Sequence, residues 1–350
     1  MEDFRNEVHE KLQKAVELEL ATIPPYLTAV FSMQKDKNKV SADIIRSVFM
    51  EEMLHLTLAA NVLSAIGGHV KLGEKNIPSY PLNLEFDGVG FKDRDFDVNL
   101  ARFCKDTIYT FTQIELPNWP EDTKFKKAIP EMEIPGYTIG EFYDGIKKDL
   151  QDLCKTHTEA KVFTGDIKNQ ISEDYYWSGG GKPIIVRNLK TAFEAIDEIK
   201  EQGEGADGRR DDGDTLNFGQ QEEIAHYFRF NEIYHERYYK KTDPLKADPS
   251  GDPLNVDYTA VYPIKSNCIS KDFENDLDLS SLNHEFNKKY SLMLYQLEEG
   301  FNGNPKVFYT AIMNGMHELS PIANKMVQMP IQNDPNKLNG APSFEWVNPI

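Results

Sequence analysis

Glu51-Glu52-Met53-Leu54-His55 and its near-copy Glu222-Glu223-Ile224-Ala225-His226 decide how this 350-residue chain reads. Each contains Glu-x-x-His inside a run with helical periodicity. Residues three apart share a helix face, so one carboxylate and one imidazole can approach a single ion from a single helix. At about 100° per residue, Ile45, Phe49, Leu56, Ala59 and Leu63 form one apolar stripe, and Glu52 and His55 fall inside it while Glu51 lies at its edge. In the later run Leu216, Tyr227, Phe230 and Tyr234 form the stripe, with Glu223 and His226 inside it. An ionised carboxylate on a buried face costs many kcal/mol unless it is neutralised, paired or bound to metal. The plainer reading is two buried salt-bridge networks, which one copy alone would favour and two copies make less economical.

The same test applied to the first helix, Val8 to about Met33, puts Glu19 in the middle of the stripe Leu12, Val16, Ile23, Tyr26 and Val30, whereas Glu17 points away. A helix over Asn188 to Gly203 has Leu189, Ala192, Phe193, Ile196 and Ile199 as its apolar face. One further turn brings Glu204 to the border of that face, with Glu201 as runner-up. One Glu from each of two helices plus Glu-x-x-His from each of two others is the ligand set of di-iron carboxylate bundles. Glu19, Glu52, His55, Glu204, Glu223 and His226 are thus the expected metal ligands. Glu52 and Glu223 are the candidates for the carboxylate that bridges two ions. Hard oxygen ligands with one imidazole per metal suit iron, with manganese as the other choice.

The fold class expected is mainly α: a four-helix bundle with a large insertion, residues 69–186, between the second and third bundle helices, and extra C-terminal helices. Residues 1–240 are read as the bundle with its insertion, and 241–350 as an extension packed on it. Helix starts are expected near Ser41, Thr138 and Asn188, a helix stop at Gly67-Gly68, and a kink at Ile23-Pro24-Pro25. Short helices are expected over Val98 to about Gln113 and Ile139 to about Lys155, and the fourth bundle helix over Leu216 to Lys240. A strand pair is expected at Tyr258–Ile264, and final helices over Leu282 to Phe301 and Lys306 to Val327. Tyr175-Tyr176-Trp177-Ser178-Gly179-Gly180-Gly181 reads as a turn that could line a pocket.

Lys and Arg number 39 against 57 Asp and Glu, a formal charge of −18, which argues against nucleic acid or an anionic membrane as partner. The three cysteines, Cys104, Cys154 and Cys268, are scattered and lack metal-ligand spacing. No signal peptide or membrane-span pattern is present, and the chain reads as cytoplasmic. No dinucleotide fingerprint, phosphate loop or internal repeat occurs.

Leu18-Glu19-Leu20-Ala21-Thr22-Ile23-Pro24-Pro25-Tyr26-Leu27, the Glu51–Leu56 block and Ala59-Ala60-Asn61-Val62-Leu63 resemble the ferritin-like family named for the iminophenyl-pyruvate dimer synthase of violacein biosynthesis. The resemblance continues through Phe163-Thr164-Gly165-Asp166, Gln202-Gly203-Glu204-Gly205, Ala225–Phe230 and the stretch from Gly340 to Phe344. It implies a ferritin-like bundle with the six ligands above, in a family whose named activity couples an amino-acid-derived imine oxidatively. The expected function is an O2-dependent dinuclear iron (or manganese) oxidase or oxygenase acting on a small imine or amine, with Tyr26, Tyr227 and Phe230 walling the site and Asp43 and Asp197 as guesses for the outer partners of the histidines. The expected partners are this small molecule and O2, and a homo-oligomer is compatible with the reading. The alternatives are a ferroxidase or iron-binding protein and a metal-free scaffold.

Overall fold

The computed structural model describes residues 2–82, 85–86, 89–90, 97–117, 138–176, 180–205, 209–211 and 224–349. Helix α1 (Glu2–Ser32) turns through residues 33–38 into α2 (Lys39–Ala65), and the two pack along their length. Pro24 and Pro25 lie inside α1. Because Pro25 has no N–H, the carbonyl of Ala21 one turn earlier loses its helical donor, and the Tyr80 hydroxyl supplies a bond at 2.7 Å instead. Asn38, in the left-handed region, precedes α2; Ser41 is therefore buried in the first turn rather than capping it. The stop at Gly67-Gly68 is where it was expected: Gly67 takes φ 84°, and the Gly68 amide bonds the carbonyl of Leu63 at 2.9 Å.

Four helices form a closed ring: α1 packs on α2, α2 on α6 (Leu189–Glu204), α6 on α4 (Ile139–Thr156), and α4 back on α1. The segment expected as an elaboration thus contributes a full member of the ring. Thr138 caps α4 by accepting the Glu141 amide at 3.0 Å, and Asn188 caps α6 through a reciprocal capping box with Thr191. Helix α3 (Lys105–Ile114) pairs with α7 (His226–His235), and α7 also touches α2 and α6. Gly165 crosses the C-terminal end of α2 so closely that a Cβ there would lie 1.8 Å from the Ser64 carbonyl oxygen. Only glycine fits that crossing.

Several boundaries differ from the sequence expectation for local reasons. Val98 bridges to Leu82, and the Leu100 amide bonds the Asn267 side chain, so this stretch is held out of a helix and α3 begins only at Lys105. The fourth bundle helix was expected from Leu216, but Ile224 bridges to Asp211 and the Ala225 amide bonds the Arg210 carbonyl, so α7 starts at His226. Residues 212–223 lie outside the described residues. Helix α7 ends at His235 because Glu236 takes the left-handed conformation. The expected strand pair at 258–264 is replaced by isolated bridges, Val261 to Met33 and Ile264 to Asn339. The one sheet among the described residues is the two-residue hairpin Glu85–Phe86 with Val89–Gly90.

After α5 (Glu159–Val162), the C-terminal part adds α8 (Leu277–Phe301), α9 (Pro305–Thr310), a π-helical turn at 311–316, and α10 (His317–Met326). Helix α8 reaches α2 and α10 reaches α1. One continuous apolar core joins Val16, Tyr26 and Leu63 of the first pair with Phe286, Leu294 and Phe344. Among the described residues no helix is long and apolar enough to cross a membrane.

Candidate metal centre

The apolar faces of α1 and α2 carry Glu19, Glu52 and His55 into the middle of the ring, each about 2% exposed. His226 arrives from the first turn of α7 and is fully buried. Glu115 arrives from the residue that ends α3 and is 5% exposed. The five side chains make two matching halves around Glu52. On one side His55 Nδ1 lies 3.5 Å from Glu19 Oε2 and 3.8 Å from Glu52 Oε2. On the other, His226 Nδ1 lies 3.5 Å from Glu115 Oε2 and 2.9 Å from Glu52 Oε1. Each outer carboxylate is held by a buried phenol: Tyr143 donates to Glu19 Oε1 and Tyr26 to Glu115 Oε1, both at 2.5 Å. Thr22 donates to Glu52 Oε2 at 3.0 Å. The imidazole rings stack at 5.3 Å between centroids, 24° from parallel.

The outward nitrogens decide the tautomers. His55 Nε2 sits 3.0 Å from Gln202 Oε1, and the Gln202 amide nitrogen is committed to the Gly180 carbonyl at 3.1 Å and to Glu198 at 3.2 Å, so its oxygen must face the ring. His226 Nε2 sits 2.8 Å from Glu51 Oε2, and the other oxygen of Glu51 accepts from Arg229 Nη1 at 2.9 Å. With Nε2–H donating outward, each ring in its neutral form would turn an unprotonated Nδ1 toward the carboxylates.

On the protein's own charges this cluster is under strain. Among the described residues, Glu19, Glu51, Glu52 and Glu115 face one permanent contacting cation, Arg229. Burial, and then the charge of Glu52, push Glu19 up to about 7, while His55 and Tyr143 oppose the rise. Burial alone would lower His55, but hydrogen bonding and charge from Glu19 and Glu52 outweigh it and push it up to about 10. His226 is likewise raised, against burial, by Glu115, Glu51 and Glu52. Burial works against ionising Glu52, yet the two imidazoles hold it well below the ordinary carboxylate range. Burial and the neighbouring carboxylates raise Tyr26 and Tyr143 well above 10, so both remain hydrogen-bond donors.

The donor set fits a metal ion. Glu52 Oε1 and His226 Nδ1 are only 2.9 Å apart, yet both are buried without a hydrogen-bond partner, because their approach lacks the alignment of an N–H···O bond. Two ligands each about 2.1 Å from one ion and at right angles to it lie about 3.0 Å apart, so unaligned proximity of this kind suits shared coordination. One ligand atom from each of Glu52, His55 and His226 can be chosen so that all lie within 4.8 Å of one another. A cavity opens beside them, bounded by Glu19, Glu52, His55, Glu115 and Glu204, with Ile114, Ile139 and Ile199 as its apolar wall.

Of the six residues expected as ligands, Glu19, Glu52, His55 and His226 therefore converge. Glu204 lines the cavity, and its Oε1 accepts the Gly140 amide at 2.8 Å in the first turn of α4. Glu223 lies outside the described residues; of the residues between it and His226, Ile224 sits in a bridge and Ala225 is the N-cap, and α7 starts at His226. Glu115 supplies the carboxylate on that side. Its signal was present in the sequence, since Ile108, Phe111 and Glu115 repeat at helical spacing on one face of α3. Asp43 and Asp197 are not the outer partners of the histidines. They pair with Arg46 and Lys147, and Gln202 and Glu51 take that role because α6 and α7 bring the ring edges against them. Tyr26 and Phe230 pack with Phe111 at the site, whereas Tyr227 stacks edge-on against Phe228.

A helical ring enclosing a buried carboxylate–imidazole cluster defines a class of metal-binding bundle folds. The ferritin-like family model matches residues 12–235, and the chain belongs to the ferritin-like family. The fold is similar to the crystal structure of a ferritin-like protein from Caulobacter vibrioides, with 20% identity, a TM-score of 0.63 and 97% of each chain covered. No curated protein matches the chain.

Proposed function

We propose that this protein holds two iron or manganese ions and uses O2 to oxidise a small, amino-acid-derived imine or amine. The observation that carries the proposal is the pairing of the two halves across Glu52, one oxygen of which faces each histidine. In this reading Glu52 would be shared between the two ions, Glu19 and His55 would hold one, and Glu115 and His226 would hold the other. Glu204, on the rim of the same cavity, is the further carboxylate of the set, and Glu223 keeps the candidacy given by its sequence pattern. The ions would supply one-electron redox chemistry toward O2 and Lewis acidity toward the substrate.

The chain's own residues supply the rest. Tyr26 and Tyr143 each occupy one oxygen of an outer carboxylate, which leaves Oε2 of Glu115 and Glu19 facing the histidines. Gln202 and Glu51 hold the imidazoles in the ligating tautomer. Phe111, Phe230, Ile114 and Ile199 put apolar surface around the acidic cluster, and the cavity at Ile139 and Glu204 leaves room beside it for a molecule about the size of water or O2. The oxidative chemistry, and the imine or amine class of substrate, are supported by the resemblance of the Leu18–Leu27 and Glu51–Leu63 blocks to the iminophenyl-pyruvate dimer synthase group.

The test is metal content after anaerobic reconstitution with Fe(II), followed by absorbance on admitting O2, for the native chain and a Glu52→Ala/His226→Ala variant. About two irons per chain, lost in the variant, with an O2-dependent visible band, is the expected result. No stoichiometric metal in the native chain, or equal binding by the variant, would leave a bundle that balances its buried carboxylates by protonation alone. Binding without any O2-dependent change would refute the oxidase step and leave an iron-binding protein.

A further inference from the structure

The two halves of the centre match in their inner contacts and differ in their outer ones. Behind His55 stands a neutral amide: Gln202 Oε1 takes the Nε2 proton, and both of its own N–H groups are spent on Gly180 and Glu198. Behind His226 stands a buried carboxylate, Glu51, 2.8 Å from Nε2. Arg229 Nη1 fixes that carboxylate at 2.9 Å and also donates to Ser47 Oγ at 3.0 Å, while Arg229 Nε donates to the Ile224 carbonyl. Gly180 closes this side: its backbone passes so near α2 that a Cβ would lie 2.9 Å from Glu51 Cα.

An imidazole whose outer N–H faces an anion is a stronger donor through its other nitrogen than one whose outer N–H faces an amide. From this asymmetry, which rests on the dinuclear reading above, we propose that Glu51 is a positioning residue, held by Arg229, that makes the position served by His226, Glu115 and Glu52 the tighter of two unequal metal positions. A divalent ion loads there first, and the position served by His55 and Glu19 fills second.

The probe is Mn(II), titrated into the full-length protein while free and bound ion are followed by electron paramagnetic resonance. An isolated bound Mn(II) and a coupled pair give different spectra. Outer partners of ligating histidines change affinity by about 10- to 100-fold, so the first equivalent should bind at least about tenfold more tightly than the second and give an uncoupled spectrum. Coupling should appear only with the second equivalent.

A Glu51→Gln/Arg229→Gln variant, which removes the anion without leaving the guanidinium unpaired, should lose the tight step and keep the weak one. Gln202→Leu should weaken the second step alone. Two equal steps in the native protein, an unchanged tight step in the double variant, or loss of the tight step in Gln202→Leu would each overturn the inference. Should the double variant fail to fold, the Gln202→Leu titration decides alone by which of the two steps it weakens. A native protein that binds neither Mn(II) nor Fe(II) overturns the dinuclear reading itself, a result distinct from two equal steps.

Discussion

Glu232 offers a quantitative check on how the end of α7, the helix that carries His226, is held. Its carboxylate is 8% exposed and accepts the Tyr239 amide at 2.7 Å, beyond the left-handed turn at Glu236. Burial pushes it up from 4.5 to about 7, against the Tyr239 bond and the charges of Arg229 and Arg210. The folded chain thus binds this proton more tightly than the unfolded chain does. The associated stability is present in full below about 4.5 and is lost as pH rises to about 7. A rise of about 2.5 units corresponds to about 3 kcal/mol once the group is ionised in both states, and to about 1 kcal/mol at pH 5.5. Glu232→Gln keeps an oxygen for the Tyr239 amide and carries no charge at any pH. It should therefore be more stable than the native chain by about 1 kcal/mol at pH 5.5, widening to about 3 kcal/mol at pH 8.5. Urea unfolding at the two pH values, with unchanged m, measures the gap. Parallel stabilities at both pH values, or a variant less stable at pH 8.5, would refute the argument that burial dominates at this carboxyl.

Glu115→Gln should reduce bound Fe(II) from about two toward one per chain and cut the thermal stabilisation given by saturating Mn(II) by more than half, since ligand-linked stability adds site by site and the tighter site contributes more; unchanged stoichiometry would remove Glu115 from the centre. Gly180→Ala should destabilise the fold by about 2–4 kcal/mol in denaturant unfolding, because φ 73° strains alanine and its Cβ would overlap the backbone of Glu51. A loss below about 0.5 kcal/mol would mean that the 180 loop yields without cost. Tyr80→Phe leaves the Ala21 carbonyl, already without its helical donor because of Pro25, with no hydroxyl to bond, and should cost about 1 kcal/mol in the same assay.

Much of this protein was legible in one dimension because helices impose their own period. Leu12, Val16, Ile23 and Tyr26, by their spacing, mark the face of α1 that carries Glu19, which needed a partner whatever the tertiary arrangement. Helix α1 is nevertheless buried all round from Ala15 to Ser32, so Glu17, expected to point away, is buried as well. Glu52 and His55, three residues apart on a helix long enough to cross the ring, share a direction for the same reason. The caps at Thr138 and Asn188 and the stop at Gly67 follow from side-chain and backbone chemistry within a few residues.

What the sequence could not decide were the meetings between residues far apart in the chain. The pairing of α3 with α7 brings Glu115 to within 3.5 Å of His226, a contact spanning more than a hundred residues that no local pattern encodes. The start of α7 was set by the bridge of Ile224 to Asp211 and the bond from Ala225 to Arg210, which hold Ile224 and Ala225 out of the helix. Glu51, at the edge of its stripe, gained its role only when Arg229 and His226 closed on it, and Gln202 gained its own only when the 180 loop fixed which way its amide points. Period and capping are properties of a segment and can be read from it. The second partner of a buried polar group is chosen by packing, and it exists only once the helices have met.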